Sequence, residues 1–183
     1  DKAQRGGGGW IDISQYETGL HFMSGALLNY HRDGVVAGRR GNRDDEAAPH
    51  NAYRCRDGKW LALSCWSDEE FHELARTLGA PDMADDPRFS TEPKRRDSIK
   101  ALDDKLAKVM ALRDASTTAG ELQKAGLAAY PVNDIADLLE DTQLASRDMW
   151  RVREHGEIGP QTYGFPGFDL SLTPGEITGA APL

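Results

Sequence analysis

WIDISQYETGLHFMSGALLNY, Trp10–Tyr30, changes its hydrophobic period in the middle. Trp10-Ile11-Asp12-Ile13 alternates like a strand end, and the alternation stops at Ser14. Leu20, Met23, Leu27 and Tyr30 then recur at spacings of three and four. That spacing puts them on one face of a helix from about Ser14 to about Arg32. Asp33-Gly34 supplies the stop. Gly19 and Gly25 weaken a helix, so they predict close packing against another backbone. The stretch reads as a buried strand, a tight turn and a packed helix, with Glu17 in the helix's first turn.

Glu17 has two readings. Ser14-Gln15-Tyr16-Glu17 fits the S-x-x-E capping box, in which Ser14 caps the helix and Glu17 reaches back to the Ser14 N–H. Alternatively, the open N–H groups of a helix start favour an ionised carboxylate there, and such a group can attack an activated acyl carbon. Spacing alone does not choose between them.

The chain has 183 residues, 30 of them acidic and 22 basic, for a net charge of −8. That balance argues against nucleic acid or an anionic membrane as the main partner. No apolar run approaches the length of a membrane span, and no stretch of these residues reads as a signal peptide. Cys55 and Cys65 form no disulfide framework and read as reduced and half-buried. The chain starts at Asp1, and Asp1–Gly9 ends in four glycines, so it reads as a loop entered from upstream and the sequence as part of something longer.

Val35–His50 has no apolar period and reads as an exposed linker; its basic core, Gly38–Arg43, is either a solvated loop or one that meets a phosphate or carboxylate. Asn51–Trp66 is a hairpin turning at Asp57-Gly58. Ser67-Asp68-Glu69-Glu70 caps a helix with Phe71, Leu74, Ala75 and Leu78 as its buried stripe, ended by Gly79. After an irregular stretch, a helix is expected from about Arg95 to Arg113. Thr118–Glu121 offers another capping box, Leu127–Val132 an edge strand, and Asn133-Asp134 a cap for a short helix. Trp150–Arg153 and Gln161–Tyr163 read as paired strands, and Gly164–Leu183 as an extended tail. No GxGxxG, P-loop, CxxC, HExxH or GxSxG motif appears, and the five histidines show no ligand spacing. His21 lies one turn after Glu17, which is either a packing contact or a proton-relay pair.

WIDISQYETGLHFM resembles the strand-turn-helix of the class III CoA-transferases, the group of formyl-CoA transferase and carnitine CoA-transferase. The resemblance continues through RRGNRDDEAAPHNAYRCRDGKWLALSCWSDEEFHELARTLGAP, DDPRF, AGLAAYPVND and DTQLASRDMW, in order, across almost the whole chain. It implies an α/β protein. Residues 1–34 would be the C-terminal strand-helix piece of a nucleotide-fold large domain and 35–49 a linker. Residues 50–154 would be a small domain with a short antiparallel sheet and packed helices, and 155–183 a segment returning to the large domain. It implies an interlocked homodimer or a heterodimer with a related subunit, in the cytoplasm. It further implies transfer of CoA from an acyl-CoA to a carboxylic acid, with the CoA thioester as substrate and no resident cofactor or metal. In the family an aspartate near the start of this helix attacks the thioester, and the matching residue here is Glu17, longer by one methylene. Asn42 and His50 match loops near the substrate entrance and are carried over as binding residues. Asp44–Ala48 stands where some relatives have a glycine-rich loop over the active site. An α-methylacyl-CoA racemase-like enzyme, which moves an α-proton, and a catalytically silent subunit share the same resemblance.

Overall fold

The computed structural model describes residue 6, residues 10–168 and residues 170–181. The expected entering loop, Asp1–Gly9, lies outside the described residues apart from Gly6. The chain forms two compact units, Asp1–Gly38 with Asp134–Leu183, and Arg39–Asn133. The second unit thus takes in most of the segment read as a linker and ends before the hairpin at Trp150.

In the first unit, α1 (Gln15–Phe22) and α2 (Ser24–Asp33) replace the single expected helix. Met23 separates them at φ −88°, ψ 10°, and its N–H turns to the Gly19 and Leu20 carbonyls. Gly34 ends α2 in the left-handed conformation, as the Asp-Gly signal predicts. Two expectations fail here. Trp10–Ile13 is not a strand, because an isolated alternating run has no ladder to join and no described strand pairs with it. Neither helix buries a residue, and a Cβ at Gly19 or Gly25 would meet nothing within 4 Å. The apolar stripe is real as a pattern but is not covered within this unit.

The rest of the first unit follows α8 (Ile135–Glu140), α9 (Thr142–Ser146) and an antiparallel hairpin of β4 (Trp150–His155) and β5 (Gly159–Gly164). Asp134 and Asp137 form the reciprocal capping box of α8. Among the described residues, the tail beyond Gly164 has no regular structure. It lies back on the hairpin, where Arg153 Nε donates to Ile177 O (3.0 Å) and Ala181 N to Tyr163 Oη (3.0 Å).

The second unit is a three-stranded antiparallel sheet, order β1-β2-β3, formed by β1 (His50–Arg54), β2 (Trp60–Ser64) and β3 (Ala128–Val132). Gly58 takes φ +80° at the Asp57-Gly58 turn. Pro131 is tolerated because β3 is an edge strand. Tyr53, Leu61, Leu63 and Ala129 face inward, while Trp60 and Ala62 lie on the outer face. Against the inner face pack α3 (Asp68–Leu78), α4 (Pro81–Ala84), α5 (Glu92–Asp97), α6 (Ile99–Met110) and α7 (Ala115–Lys124). Their buried side chains, Phe71, Leu74, Met83, Leu102, Leu106, Met110 and Leu122, complete one core. Full burial of each such side chain contributes about 1.5–3 kcal/mol. The long helix expected from Arg95 is two helices that meet at Ser98. The cap of α7 is Asp114, so Thr118 is a buried interior residue and not a cap.

Arg95 has no exposed surface. Its Nε donates to Ala48 O (2.7 Å), Nη1 to Asp68 Oδ1 (2.8 Å) and Phe89 O (3.1 Å), and Nη2 to Ser67 O (3.2 Å). The guanidinium also lies 4.6 Å from the centre of the Phe71 ring. A buried charge is tolerable only with this degree of pairing. Ala47, Ala48 and Pro49, expected in an exposed linker, are buried as part of this arrangement.

Replacing Arg95 by Met keeps the bulk and removes every donor, leaving buried carbonyls unsatisfied. Urea denaturation of Arg95→Met should show a loss of about 3–5 kcal/mol; a loss below about 1 kcal/mol would contradict this assignment. Burial pushes the Cys65 thiol up to about 12 from an ordinary 9.0, with the Glu70 charge adding and Arg95 opposing. A neutral buried thiol contributes stability that is intact below the unfolded value and is lost as pH rises through the folded one. The stability of the protein should therefore fall between about pH 9 and pH 12, and Cys65→Ala should remove that part of the alkaline slope.

Candidate functional site

The sequence-derived candidates fall in both units. Glu17 sits in the first turn of α1, exposed. Ser14 Oγ accepts from the Glu17 backbone N–H at 3.2 Å, so one half of the capping box forms. The other half does not, and the Glu17 carboxylate has no hydrogen-bond or ion-pair partner among the described residues, His21 included.

Asn42 and His50 are brought together at the edge of the second unit. The segment that carries them is fixed at both ends. A turn closes its start, where Gly41 takes φ +64° and Arg43 N donates to Arg40 O. Asp44 Oδ1 then accepts from Glu46 N (2.8 Å). At its end, Ala48 N donates to Cys65 O (3.0 Å) and Cys65 N to Pro49 O (2.9 Å), which prolongs the β1–β2 ladder. Arg95 holds the Ala48 carbonyl from the interior.

His50 opens β1. Its Nδ1 lies 2.5 Å from the Asn42 carbonyl, and its ring stacks on Trp66 with centroids 5.7 Å apart. A carbonyl only accepts, so Nδ1 carries the proton and Nε2 is the imidazole's remaining polar atom. Asn42 Nδ2 donates to Asn51 Oδ1 (3.0 Å), and Asn51 Nδ2 donates to Asp103 Oδ2 (3.1 Å). Tyr53 Oη donates to Asp103 Oδ1 at 2.7 Å. Burial, reinforced by this bond to Asp103, holds the Tyr53 phenol far above the ordinary tyrosine range. The ring of His50 is thus positioned by a chain of bonds that ends on α6. Asp103 is hidden as a site residue in the sequence, because its spacing fits a helix in a charged run; only its place beside Leu102 and one turn before Leu106 hints at an inward edge.

A cavity of about 180 Å3 opens beside His50, lined also by Arg40, Arg43, Asp45, Arg96 and Ile99. Arg40 pairs with Asp45, and the bond from Arg40 holds the Asp45 carboxyl below the usual carboxylate range. Asn42 does not line the cavity and acts on it through His50. A shallower cleft of about 570 Å3 runs between β1 and α6 and includes Tyr53, Trp60 and Asp103. Among the described residues, no three His, Cys, Asp or Glu side chains are grouped to hold a metal ion. Among the described residues, no helix is long and apolar enough to cross a membrane.

The profile of CoA-transferase family III matches residues 1–183. The acetyl-CoA:oxalate CoA-transferase of Acetobacter aceti is 31% identical over 148 residues, covering 81% of this chain and 38% of that protein. The succinyl-CoA–D-citramalate CoA-transferase of Chloroflexus aurantiacus is 30% identical over 184 residues, covering 98% of this chain and 45% of that protein. The chain therefore spans less than half the length of the curated relatives it matches. Among solved structures, a CaiB/BaiF family protein from Brucella suis superposes with a TM-score of 0.70 at 25% identity, covering 87% of this chain and 45% of that one. The protein Rv3272 of Mycobacterium tuberculosis, at 17% identity, shares the fold with a TM-score of 0.72 over 97% of this chain and 46% of its own. With its whole length matched by the profile, and with mixed helices and short antiparallel sheets like those of its structural neighbours, the chain belongs to CoA-transferase family III.

Proposed function

We propose that the protein containing this chain moves CoA from an acyl-CoA to a carboxylic acid, through a covalent acyl-carboxylate and an enzyme–CoA thioester. The observation that carries the reading is the match of the family profile along all 183 residues. Relatives named for transfer to oxalate, D-citramalate and L-malate support it. Each of those acids is dicarboxylic. An alpha and a beta subunit of one such enzyme are both similar to this chain, which supports assembly as a dimer of like or related chains. The cytoplasm is the compartment where CoA thioesters of this kind would be met, and CoA enters as substrate with no resident cofactor.

In this reading Glu17 is the nucleophile. A carboxylate oxygen attacks the thioester carbonyl, and the CoA thiolate leaves to give a mixed anhydride. The thiolate then attacks the enzyme's carboxyl carbon and releases the first acid. The acceptor carboxylate attacks the enzyme thioester, the thiolate departs again, and its attack on the acceptor's acyl carbon restores the free side chain. A solvent-facing Glu17 carboxylate with no described partner, in a helical first turn, supports this role. Asn42 and His50 would serve the substrate entrance, His50 at the cavity and Asn42 by holding it.

One observation favours a second reading for Glu17 alone. It lines neither of the cavities above, and α1 and α2 bury none of their own residues, as expected of helices that serve assembly while another carboxylate attacks. Glu17→Gln in the full-length enzyme separates the two. If Glu17 attacks, turnover falls by about a thousandfold or more and hydroxylamine no longer traps an acyl-enzyme. Retained turnover with a trappable intermediate assigns the nucleophile elsewhere. Exchange of the substrate α-proton for deuterium, with no trapped acyl-enzyme in the wild type, would replace the transfer reading by the racemase one.

A further inference from the structure

The two edges of the sheet in the second unit are finished differently. Cys55 N donates to Lys59 O (2.8 Å) and Cys65 N to Pro49 O (2.9 Å), so in the β1–β2 register the odd-numbered residues of β1 bond to β2. His50, Ala52 and Arg54 therefore turn their backbone groups outward. On β2 it is Trp60, Ala62 and Ser64 that bond to β3, which turns Ala129 and Pro131 outward on the other edge. That edge is closed: Gln123 Nε2 donates to Ala129 O (2.8 Å), and Pro131 has no N–H to offer. The β1 edge is closed only at its ends. Asn51 Oδ1 takes the Ala52 N–H (2.9 Å), and Arg56 N, the next outward donor after Arg54, pairs with Arg113 O (2.9 Å). Between them, Ala52 O and the N–H and C=O of Arg54 have no partner among the described residues.

The cleft of about 570 Å3 between β1 and α6 runs along this open stretch. Its helical wall presents Ala107 and Ala111, four residues apart and both exposed, and such small side chains leave room for bulky apolar ones. Most charges in the lining are engaged. Asp103 accepts from Tyr53 and Asn51, Asp104 holds Lys100, and Arg56 pairs with Asp114. Arg54 is exposed and has no carboxylate partner among the described residues. It stands opposite Trp60 in the register, on the outer face of the sheet. The charge left uncompensated in this groove is therefore positive, and it sits on the residue whose backbone is also unpaired.

We propose that this groove binds an extended peptide segment of a partner protein, added antiparallel to β1 as a fourth strand, with an acidic residue opposite Arg54 and an apolar residue on each side of it. Arg54 exchanges two main-chain hydrogen bonds with the acidic residue, and Ala52 O accepts a third from further along the peptide. The period of two then sets the side chains. The acid lies beside the Arg54 guanidinium on the outer face, and its apolar neighbours point to the inner face, over Ala107 and Ala111. The open stretch, Asn51–Arg54, is four residues at about 3.3 Å each, so a peptide of similar length fills it. The surface lies wholly within the Arg39–Asn133 unit and does not rest on the CoA-transfer reading.

Fluorescence anisotropy of a labelled, end-blocked peptide, Thr-Val-Glu-Val-Thr, on the full-length protein tests it. The peptide should bind saturably, and more tightly than Thr-Val-Lys-Val-Thr. Arg54→Glu should weaken the glutamate peptide at least tenfold and reverse the preference in favour of the lysine peptide, a reversal that damage to the fold would not produce. Methylating the backbone nitrogen of the peptide's glutamate, the donor to Arg54 O, should also cost at least tenfold. Ala107→Phe, which fills the groove, should abolish binding; thermal melting checks its fold, and Ala107→Leu replaces it if it melts early. No saturable binding to the wild type, equal binding of the two peptides, or binding indifferent to Arg54→Glu would each overturn the proposal. Sedimentation that shows wild-type dimers split by Ala107→Phe, with no peptide bound, would give the edge to a second copy of the chain and overturn the partner peptide.

Discussion

Four oxygens converge on one guanidinium inside the Arg39–Asn133 unit: the carbonyls of Ala48, Ser67 and Phe89 and a carboxylate oxygen of Asp68. They come from the segment before β1, the cap of α3 and the loop before α5. None of these segments is long enough to hold itself in place. The Arg95 charge makes each hydrogen bond stronger than a neutral one, and burial next to Phe71 keeps water from competing. A methionine would fill the space but could not hold the three segments in register.

The chemistry proposed for this protein depends on that register. Ala48 lies two residues from His50, and the same residue is tied to Cys65 at the end of β2. With Ala48 fixed from the interior and from the ladder, the segment from Arg40 can turn at Gly41 and return its Asn42 carbonyl to the His50 ring. Asp103 fixes the far side of the same network through Asn51 and Tyr53. Surface ion pairs such as Arg40–Asp45 add little stability in water, but they decide which charges in the cavity remain available.

Much of the second unit can be read from its sequence, because local signals and global packing agree there. The Asp57-Gly58 turn sets the β1–β2 register, and Ser67 accepts from Glu70 N as the capping box requires. The stripe of Phe71, Leu74, Ala75 and Leu78 is the buried face of α3. Arg95 could not be read. In Glu92-Pro93-Lys94-Arg95-Arg96 it looks like its neighbours, and only the tertiary path of residues 48, 67, 68 and 89 makes it interior. Asp103 is hidden in the same way by the charged run of α6. The opposite failure occurs at Trp10–Tyr30. Its apolar pattern announces a buried strand and helix, but a strand exists only when another pairs with it, and the stripe of Leu20, Met23, Leu27 and Tyr30 stays 37–56% exposed. The cavity at His50 shows a third limit. Arg40 and Arg43 are visible as a basic loop, but Arg40 is taken by Asp45, and no spacing rule reports that.

The most direct test is mass spectrometry of the full-length enzyme's products. The enzyme would be given a panel of acyl-CoA donors with uniformly carbon-13-labelled dicarboxylic acids in deuterated water. The account predicts a CoA ester carrying the carbon label, formed one-for-one with the donor's free acid, and without deuterium at the α-carbon of the donor. Deuterium in recovered acyl-CoA with no labelled CoA ester, across a panel of acyl-CoA donors and acids, would contradict it.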